Sequence, residues 1–290
     1  MCSAPMLAVK LPSTEPGKFR IKFLCRTDDN IHNAEIKYGK ERVLKLPCGE
    51  CADCKATYAF KWSKRCLYEL LYHDDSCFIT LTYDDEHNPG ELVKRDYQLF
   101  LKKLRKKYGE GIKVFLAGEY GSHTFRPHFH AILFGYCPKD LKPIGSNGLN
   151  QKLYESKELS DLWQKGYVSI GEVSKDSCSY VAGYTAKKDN PVLPGFIKMS
   201  KGLGRQFVID HAQDFINNGC AVVPGIGVVQ ASRYEFDLLE NLGYSVEIAK
   251  KKAERLNDEK FNTRMLVEGH QYKDQLARQS FTKNKRKRGL

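Results

Sequence analysis

The sharpest chemical feature of the chain is Arg126-Pro-His-Phe-His130, two histidines one residue apart. The run His128–Phe134 is apolar enough to predict a strand. Strand side chains alternate, so His128 and His130 point to one face and Phe129 to the other. Two imidazoles on one face can hold a single metal ion, although His-x-His alone is a weak signal. The competing reading is two histidines hydrogen-bonded near a strand start. Glu119, at the end of the neighbouring strand Lys113–Tyr120, can turn back toward the pair as a carboxylate ligand. Two histidines and one carboxylate leave coordination positions open, as a catalytic Mg²⁺ or Mn²⁺ site requires.

A second constellation is Tyr180-Val-Ala-Gly-Tyr-Thr-Ala-Lys-Lys188. Helix positions i and i+4 share a face, so Tyr180 and Tyr184 project together, with Lys187 and Lys188 one turn farther on. An ordinary amphipathic helix with tyrosines in the core would look the same in isolation. A phenol, ionising near pH ~10, becomes a useful nucleophile only beside a base or a cation, which either lysine supplies.

The third is Cys48-x-x-Cys-x-x-Cys54. Three thiols at this density suit tetrahedral Zn²⁺, which takes four ligands. Cys2 is the preferred fourth, with Cys25 and Cys66 as competitors, and an iron–sulfur cluster is the alternative occupant. Cys77, Cys137, Cys178 and Cys220 fall in or beside apolar stretches and read as core thiols.

The elements that must position these residues follow from periodicity. Extended pieces are predicted at 19–25 and 42–46. Helices are predicted at Lys55–His73, Lys94–Tyr108, Leu153–Trp163 and Ser179–Lys188, and strands at Cys77–Tyr83, Lys113–Tyr120, His128–Phe134 and Tyr167–Val173. That order predicts an α+β layer, an antiparallel sheet with helices on one side. Beyond Pro191 the pattern loosens. Residues 235–280 read as helical, and Lys283–Arg288 is a basic tail. The helix Lys94–Tyr108 turns seven basic residues outward, Lys102, Lys103, Arg105 and Lys106 among them. These, with Arg126, are the candidate DNA contacts, against the alternative of a solvated face.

Composition bounds the rest. The 290 residues carry a net charge of +12 and 11% aromatics, with a mean hydropathy of −0.51. The aromatics exclude general disorder, and no apolar run approaches a membrane span. The opening residues are too briefly apolar for a signal-peptide core, so a cytoplasmic location is expected, where the ten cysteines stay thiols or bind metal. The charge suits a polyanion. No phosphate loop of the G-x-x-x-x-G-K-[ST] type occurs, so no ATP-driven motor is expected.

The blocks Phe78–Tyr83, Gly118–Gly121 with Arg126–His130, and Tyr180–Lys188 stand in an order that resembles the HUH endonuclease superfamily. More closely, the chain resembles replication initiators of the gokushovirus branch of the Microviridae. Met1-Cys2…Pro5, Leu46–Cys51, Arg65-Cys66, Phe78–His87, Gly171–Val173 and Met199-Ser200…Gly202–Arg205 carry that resemblance. It covers nearly everything up to about residue 205. Lys201-Gly202 departs from the usual basic-Pro-Gly without touching a catalytic position.

The resemblance implies a sheet-based nuclease core with the two-histidine strand at its centre and the tyrosine helix alongside. It implies Glu119, His128 and His130 as ligands of a divalent metal, Tyr180 and Tyr184 as the nucleophile pair, and Lys187 or Lys188 assisting. It further implies a Cys-rich region over 1–75, a nuclease core over 76–190, and an extension over 191–290. The implied activity is nicking and joining of one strand at a phage origin in the host bacterial cytoplasm, with a host helicase and polymerase as partners. A relaxase or transposase, or a non-catalytic zinc-containing nucleic-acid-binding protein, are the alternatives.

Overall fold

The computed structural model describes residues 2–14, 19–24, 28–121, 124–147, 150–184, 194–224, 226–248 and 251. The chain divides into two units, 1–57 and 58–290.

The first unit holds three antiparallel strands in the order β2-β1-β3, namely β1 (Met6–Pro12), β2 (Phe19–Leu24) and β3 (Val43–Leu46), with helix α1 (Asp28–Tyr38) between the last two in sequence. Leu7, Ala8 and Val9 of the central strand are buried. Helix α2 (Ala52–Leu70) begins in this unit and continues into the next.

The second unit is built on a seven-stranded sheet whose pairings between named strands are all antiparallel. Its strands are β4 (Ser76–Tyr83), β5 (Lys113–Tyr120), β6 (Pro127–Phe134), β7 (Lys142–Ser146), β8 (Lys152–Glu155), β9 (Gly166–Glu172) and β10 (Phe196–Met199). They lie in the order β10-β5-β6-β4-β9-β8-β7. Alternation in β4 sends Cys77, Ile79, Leu81 and Tyr83 fully into one layer, while Ser76, Phe78, Thr80 and Thr82 face the other, half-buried. Helix α3 (Lys94–Tyr108) presents Tyr97, Phe100, Leu101 and Leu104 at helical spacing to the first of these layers. Helix α4 (Lys157–Trp163) joins it there through Leu159 and Trp163. Removing a side chain such as Leu81 or Phe129 from water contributes about 1.5–3 kcal/mol each.

The opposite layer is closed by α2 and by helix α5 (Lys175–Gly183), whose Cys178, Val181 and Ala182 pack with Phe115, Ala117, Ile132 and Phe134. Helices therefore cover both faces of the sheet, not one. The period-2 strands β4 and β6 carry large apolar side chains on both sides, and each side needs its own cover. The fold is nonetheless the HUH-nuclease-like α+β architecture that the sequence leads one to expect, with Cys-rich and helical extensions.

A third core gathers helices α6 (Arg205–Asp210), α7 (Ala212–Asn218) and α8 (Arg233–Asn241) with the hairpin of β11 (Cys220–Val223) and β12 (Gly227–Gln230) around Tyr68 of α2. It is pinned to α2 by the buried pair Lys64–Glu235, 2.8 Å apart. Lys64 also donates to the Gln230 carbonyl, and Ser232 donates to Glu235 through both its N–H and its hydroxyl. Burial alone would raise the Glu235 carboxyl, but the Lys64 charge and these hydrogen bonds outweigh it and hold it low. The segment after β10 is pinned likewise. Glu69 accepts from the Gly204 N–H at 2.7 Å, and Arg65 donates to the Leu203 carbonyl while lying between the rings of Trp62 and Tyr234. Gly204 has φ +72°, and a Cβ there would sit 2.8 Å from the Arg65 carbonyl oxygen, so only glycine fits.

Several expected boundaries move. Leu153 belongs to β8, and the helix expected from it starts at Lys157, because Ser156 caps it by accepting from the Leu159 N–H. The tyrosine helix starts at Lys175 through a Ser174/Ser177 capping box. The helix expected over 235–280 is α8 as far as Asn241, where Gly243 at φ +103° follows a turn. The rest of that stretch is mostly outside the described residues, as is the basic tail. Cys77 and Cys178 are buried core thiols, whereas Cys137 and Cys220 are only half-buried.

Candidate active site

Strands β5 and β6 form a hairpin in which Glu119 pairs with His128 and Ala117 with His130. Directly paired residues of an antiparallel ladder project from the same face. Glu119, His128 and His130 therefore converge on the α2/α5 side of the sheet. One oxygen, Glu119 Oε1, lies 3.0 Å from His128 Nε2 and 3.1 Å from His130 Nε2. The other ring nitrogens are held from behind: His128 Nδ1 lies 3.1 Å from the Arg126 carbonyl, and His130 Nδ1 lies 3.0 Å from Thr80 Oγ1.

This donor set fits a divalent cation. His128 faces an acceptor at both nitrogens, a carbonyl at Nδ1 and a carboxylate at Nε2. A neutral imidazole has one N–H, so with Nδ1 protonated toward the carbonyl, Nε2 offers a lone pair toward the carboxylate. A cation between the two resolves that opposition. Cis ligands at bond lengths of about 2.1 Å stand about 3 Å apart, which is the spacing found.

The two phenols adjoin this point. Tyr180 lies on the last turn of α5 and Tyr184 just beyond it, with ring centroids 5.1 Å apart. The Tyr184 hydroxyl donates to the Tyr180 oxygen. The His130 ring is sandwiched, parallel to Tyr184 at 5.2 Å and to Phe78 at 5.8 Å. Burial pushes the Tyr180 phenol up to about 12, against the lowering effect of the Tyr184 hydrogen bond. Tyr184 is pushed well above the usual phenol range by burial and by the nearby Tyr180 and Glu119. Both are thus neutral hydroxyls until a positive charge arrives.

In the first unit a second group forms. The Sγ atoms of Cys2, Cys48, Cys51 and Cys54 all lie within 4.8 Å of one another. Cys2 and Cys51 are 3.8 Å apart and Cys48 and Cys54 3.9 Å. Zn–S bonds of about 2.3 Å in a tetrahedron give an edge of about 3.8 Å, so four thiolates around zinc fit this cage. The backbone N–H groups of Cys51 and Cys48 point at Cys48 Sγ and Cys2 Sγ. Backbone hydrogen bonds at Cys54 and Ser3 draw Cys51 down to about 5, while burial pushes Cys54 up to about 12. Cys2 takes the fourth place because β1 pairs with β3 at Met6 and Leu46, which brings the chain before β1 beside the chain after β3. Cys66 is instead a buried thiol on α2 beside the sheet, and Cys25 is outside the described residues.

Comparison with known proteins gives these arrangements a family. The family model for replication-associated protein ORF2 matches residues 76–189, the span holding all the histidine and tyrosine positions. The replication-associated protein VP4 of Bdellovibrio phage phiMH2K is 31% identical over 226 residues, covering 70% of this chain and 72% of that protein. The chain belongs to the phage replication-associated protein family. Replication-associated protein ORF2 of Spiroplasma virus 4 is 27% identical over 80% of each chain. Replication-associated protein ORF4 of Chlamydia phage 1 is 33% identical over 51% of this chain and 40% of its own length. No solved structure matches.

The candidate DNA contacts of this replication-associated chain do not gather at the site. Lys102, Lys103, Arg105 and Lys106 ride on α3, behind the sheet and away from the histidines. Arg105 is occupied by the Ile112 carbonyl, and Lys103 by the Leu162 carbonyl and Gln164. Arg126 binds the Tyr83 carbonyl and pairs with Asp85, which ties the end of β4 to the start of β6. Lys187 and Lys188 are outside the described residues. Thr80 and Phe78, which hold His130, are not singled out for this role by the sequence. Their alternation in Phe78-Ile-Thr-Leu-Thr is the available signal, but it needs the β4–β6 register to become informative.

Proposed function

We propose that this protein initiates rolling-circle replication of a phage genome by nicking and rejoining one DNA strand at the origin. The observation that carries the reading is the convergence, on one face of β5 and β6, of Glu119 Oε1, two imidazole Nε2 atoms and two adjoining phenols. Membership of the replication-associated family supports the biological setting. Glu119, His128 and His130 would hold Mg²⁺ or Mn²⁺, and Cys2, Cys48, Cys51 and Cys54 a structural Zn²⁺. The divalent cation, when bound, supplies a positive charge that polarises the scissile phosphate.

The chain's own residues do the rest. A tyrosine oxygen attacks phosphorus, the bond from phosphorus to the 3′ oxygen breaks, and the phenol proton is passed on. A 5′-phosphotyrosine and a free 3′-hydroxyl remain, and the latter primes a polymerase. Thr80 and the Arg126 carbonyl orient the imidazoles, while Phe78 and Tyr184 hold the His130 ring between them. Lys187 or Lys188 offsets charge at the phosphate. Among the described residues no helix is long and apolar enough to cross a membrane. The reading places the protein in the cytoplasm of the infected bacterium, working with a host helicase and polymerase. Incubation with a labelled single-stranded origin oligonucleotide and Mn²⁺ tests it. A denaturant-resistant protein–DNA species supports nicking, and its absence across many sequences points instead to a binding protein.

A further inference from the structure

The face that carries Glu119 and His128 continues beyond them. In β4 the residue paired with His128 is Thr82, and in β9 the residue paired with Thr82 is Tyr167. Glu119, His128, Thr82 and Tyr167 therefore form one row across four strands, all projecting from the same side. Helix α5 packs over β5 and β6, and the β4–β9 half of this row is open: Thr80, Thr82 and Ser169 are half-buried, and Tyr167 is 69% exposed. Two strand spacings of about 4.8 Å put the backbone of Tyr167 about 10 Å from that of His128.

Tyr167 stands on a rigid base. Gly166 has φ +136°, and a Cβ there would lie 2.3 Å from the Asp84 nitrogen and 2.4 Å from the Thr82 oxygen. The Asp84 N–H in turn donates to the Lys165 carbonyl. A second exposed ring stands past the strand ends of the same hairpin. Phe125, immediately before Arg126, adopts φ +51°, a left-handed conformation that bulky residues avoid, and is 55% exposed. A large apolar ring held both strained and in water is destabilising in the isolated protein, which directs attention to a bound state that covers it.

We propose that Tyr167 and Phe125 are stacking platforms for bases of single-stranded DNA flanking the scissile phosphate. The proposal rests on the nicking reading and names how that site holds its substrate. The occupant is single-stranded DNA because the row runs directly on from the Glu119–His128 end, its floor of Thr82 and Ser169 is small and polar, and the chain carries a net charge of +12. Aromatic faces take any base, and such stacking is sequence-tolerant.

The test measures binding of two fluorescent oligonucleotide probes, oligo(dT) about 20 nucleotides long and an abasic strand of the same length, by anisotropy without divalent metal. Tyr167→Leu and Phe125→Gly should each weaken oligo(dT) binding about fivefold or more. They should leave abasic binding unchanged, and Tyr167→Trp and Phe125→Trp should retain the oligo(dT) affinity. Phe125→Gly should melt no earlier than the parent, because glycine adopts positive φ without strain. Equal losses on both probes, no loss, or failure of the tryptophan variants to bind would each overturn the proposal. The assay involves no cleavage. A protein that forms the covalent adduct but shows no difference between the probes refutes the stacking alone, and one that binds neither probe refutes both readings.

Discussion

The Tyr184 hydroxyl donates its hydrogen bond to the oxygen of Tyr180, and the Tyr184 ring lies parallel to His130 at 5.2 Å. The two phenols are therefore unequal. Tyr184 is 6% exposed and serves as donor, while the half-buried Tyr180 is the acceptor.

That inequality sets an order of attack. Tyr180→Phe should lose most first-strand adduct. Tyr184→Phe should keep the adduct but fail to release closed single-stranded circles, since the regenerated origin must be cut while the first end is still attached. The double variant should form no adduct. Adduct yield and circle release on a labelled origin substrate are the readouts, and equal first-strand yields in the two single variants would refute the order.

Replacing His128 or His130 with Ala should abolish cleavage while leaving metal-free DNA binding largely intact, because affinity comes from many Lys and Arg contacts. Thr80→Val should be milder. It removes the partner of His130 Nδ1 and should weaken Mn²⁺ binding about 10–100-fold. Metal titration followed by nicking rate separates the two. Cleavage at full rate in both histidine variants would contradict the metal assignment.

The cysteine cage should hold about one zinc per chain by elemental analysis. Cys2→Ser should lose it as surely as Cys51→Ser, whereas Cys66→Ser should retain it, since Cys66 packs in the sheet core. Iron with a visible charge-transfer band would contradict zinc.

Acid stability should report on Glu69. Burial raises this carboxyl, but hydrogen bonds from Lys113, the Gly204 N–H and His73 hold it below the usual carboxylate range. Its folded pKa lies under the unfolded one, so its contribution is complete at neutral pH and is lost as pH falls below about 4 through the folded value. Urea unfolding should show Glu69→Gln clearly less stable than the parent near neutral pH and closer to it in acid. A gap that widens in acid would reverse the sign.

Local spacing in the sequence determined much of this. Alternation put His128 and His130 on one face, the four-residue step put Tyr180 with Tyr184, and Lys94–Tyr108 was legible to the residue from its apolar period. Each depends only on the geometry of a single element, which a sequence carries by itself. Tertiary structure decided the rest. Cys2 stands beside Cys48 because Met6 pairs with Leu46, and Thr80 and Tyr167 face the site because β4 lies between β6 and β9. The basic stripe of α3 lies behind the sheet because its apolar face packs on the layer of Phe129 and Leu81, away from the histidines. Period says which side chains share a face. Which face meets which partner is settled by strand register and layer packing between residues far apart in the chain.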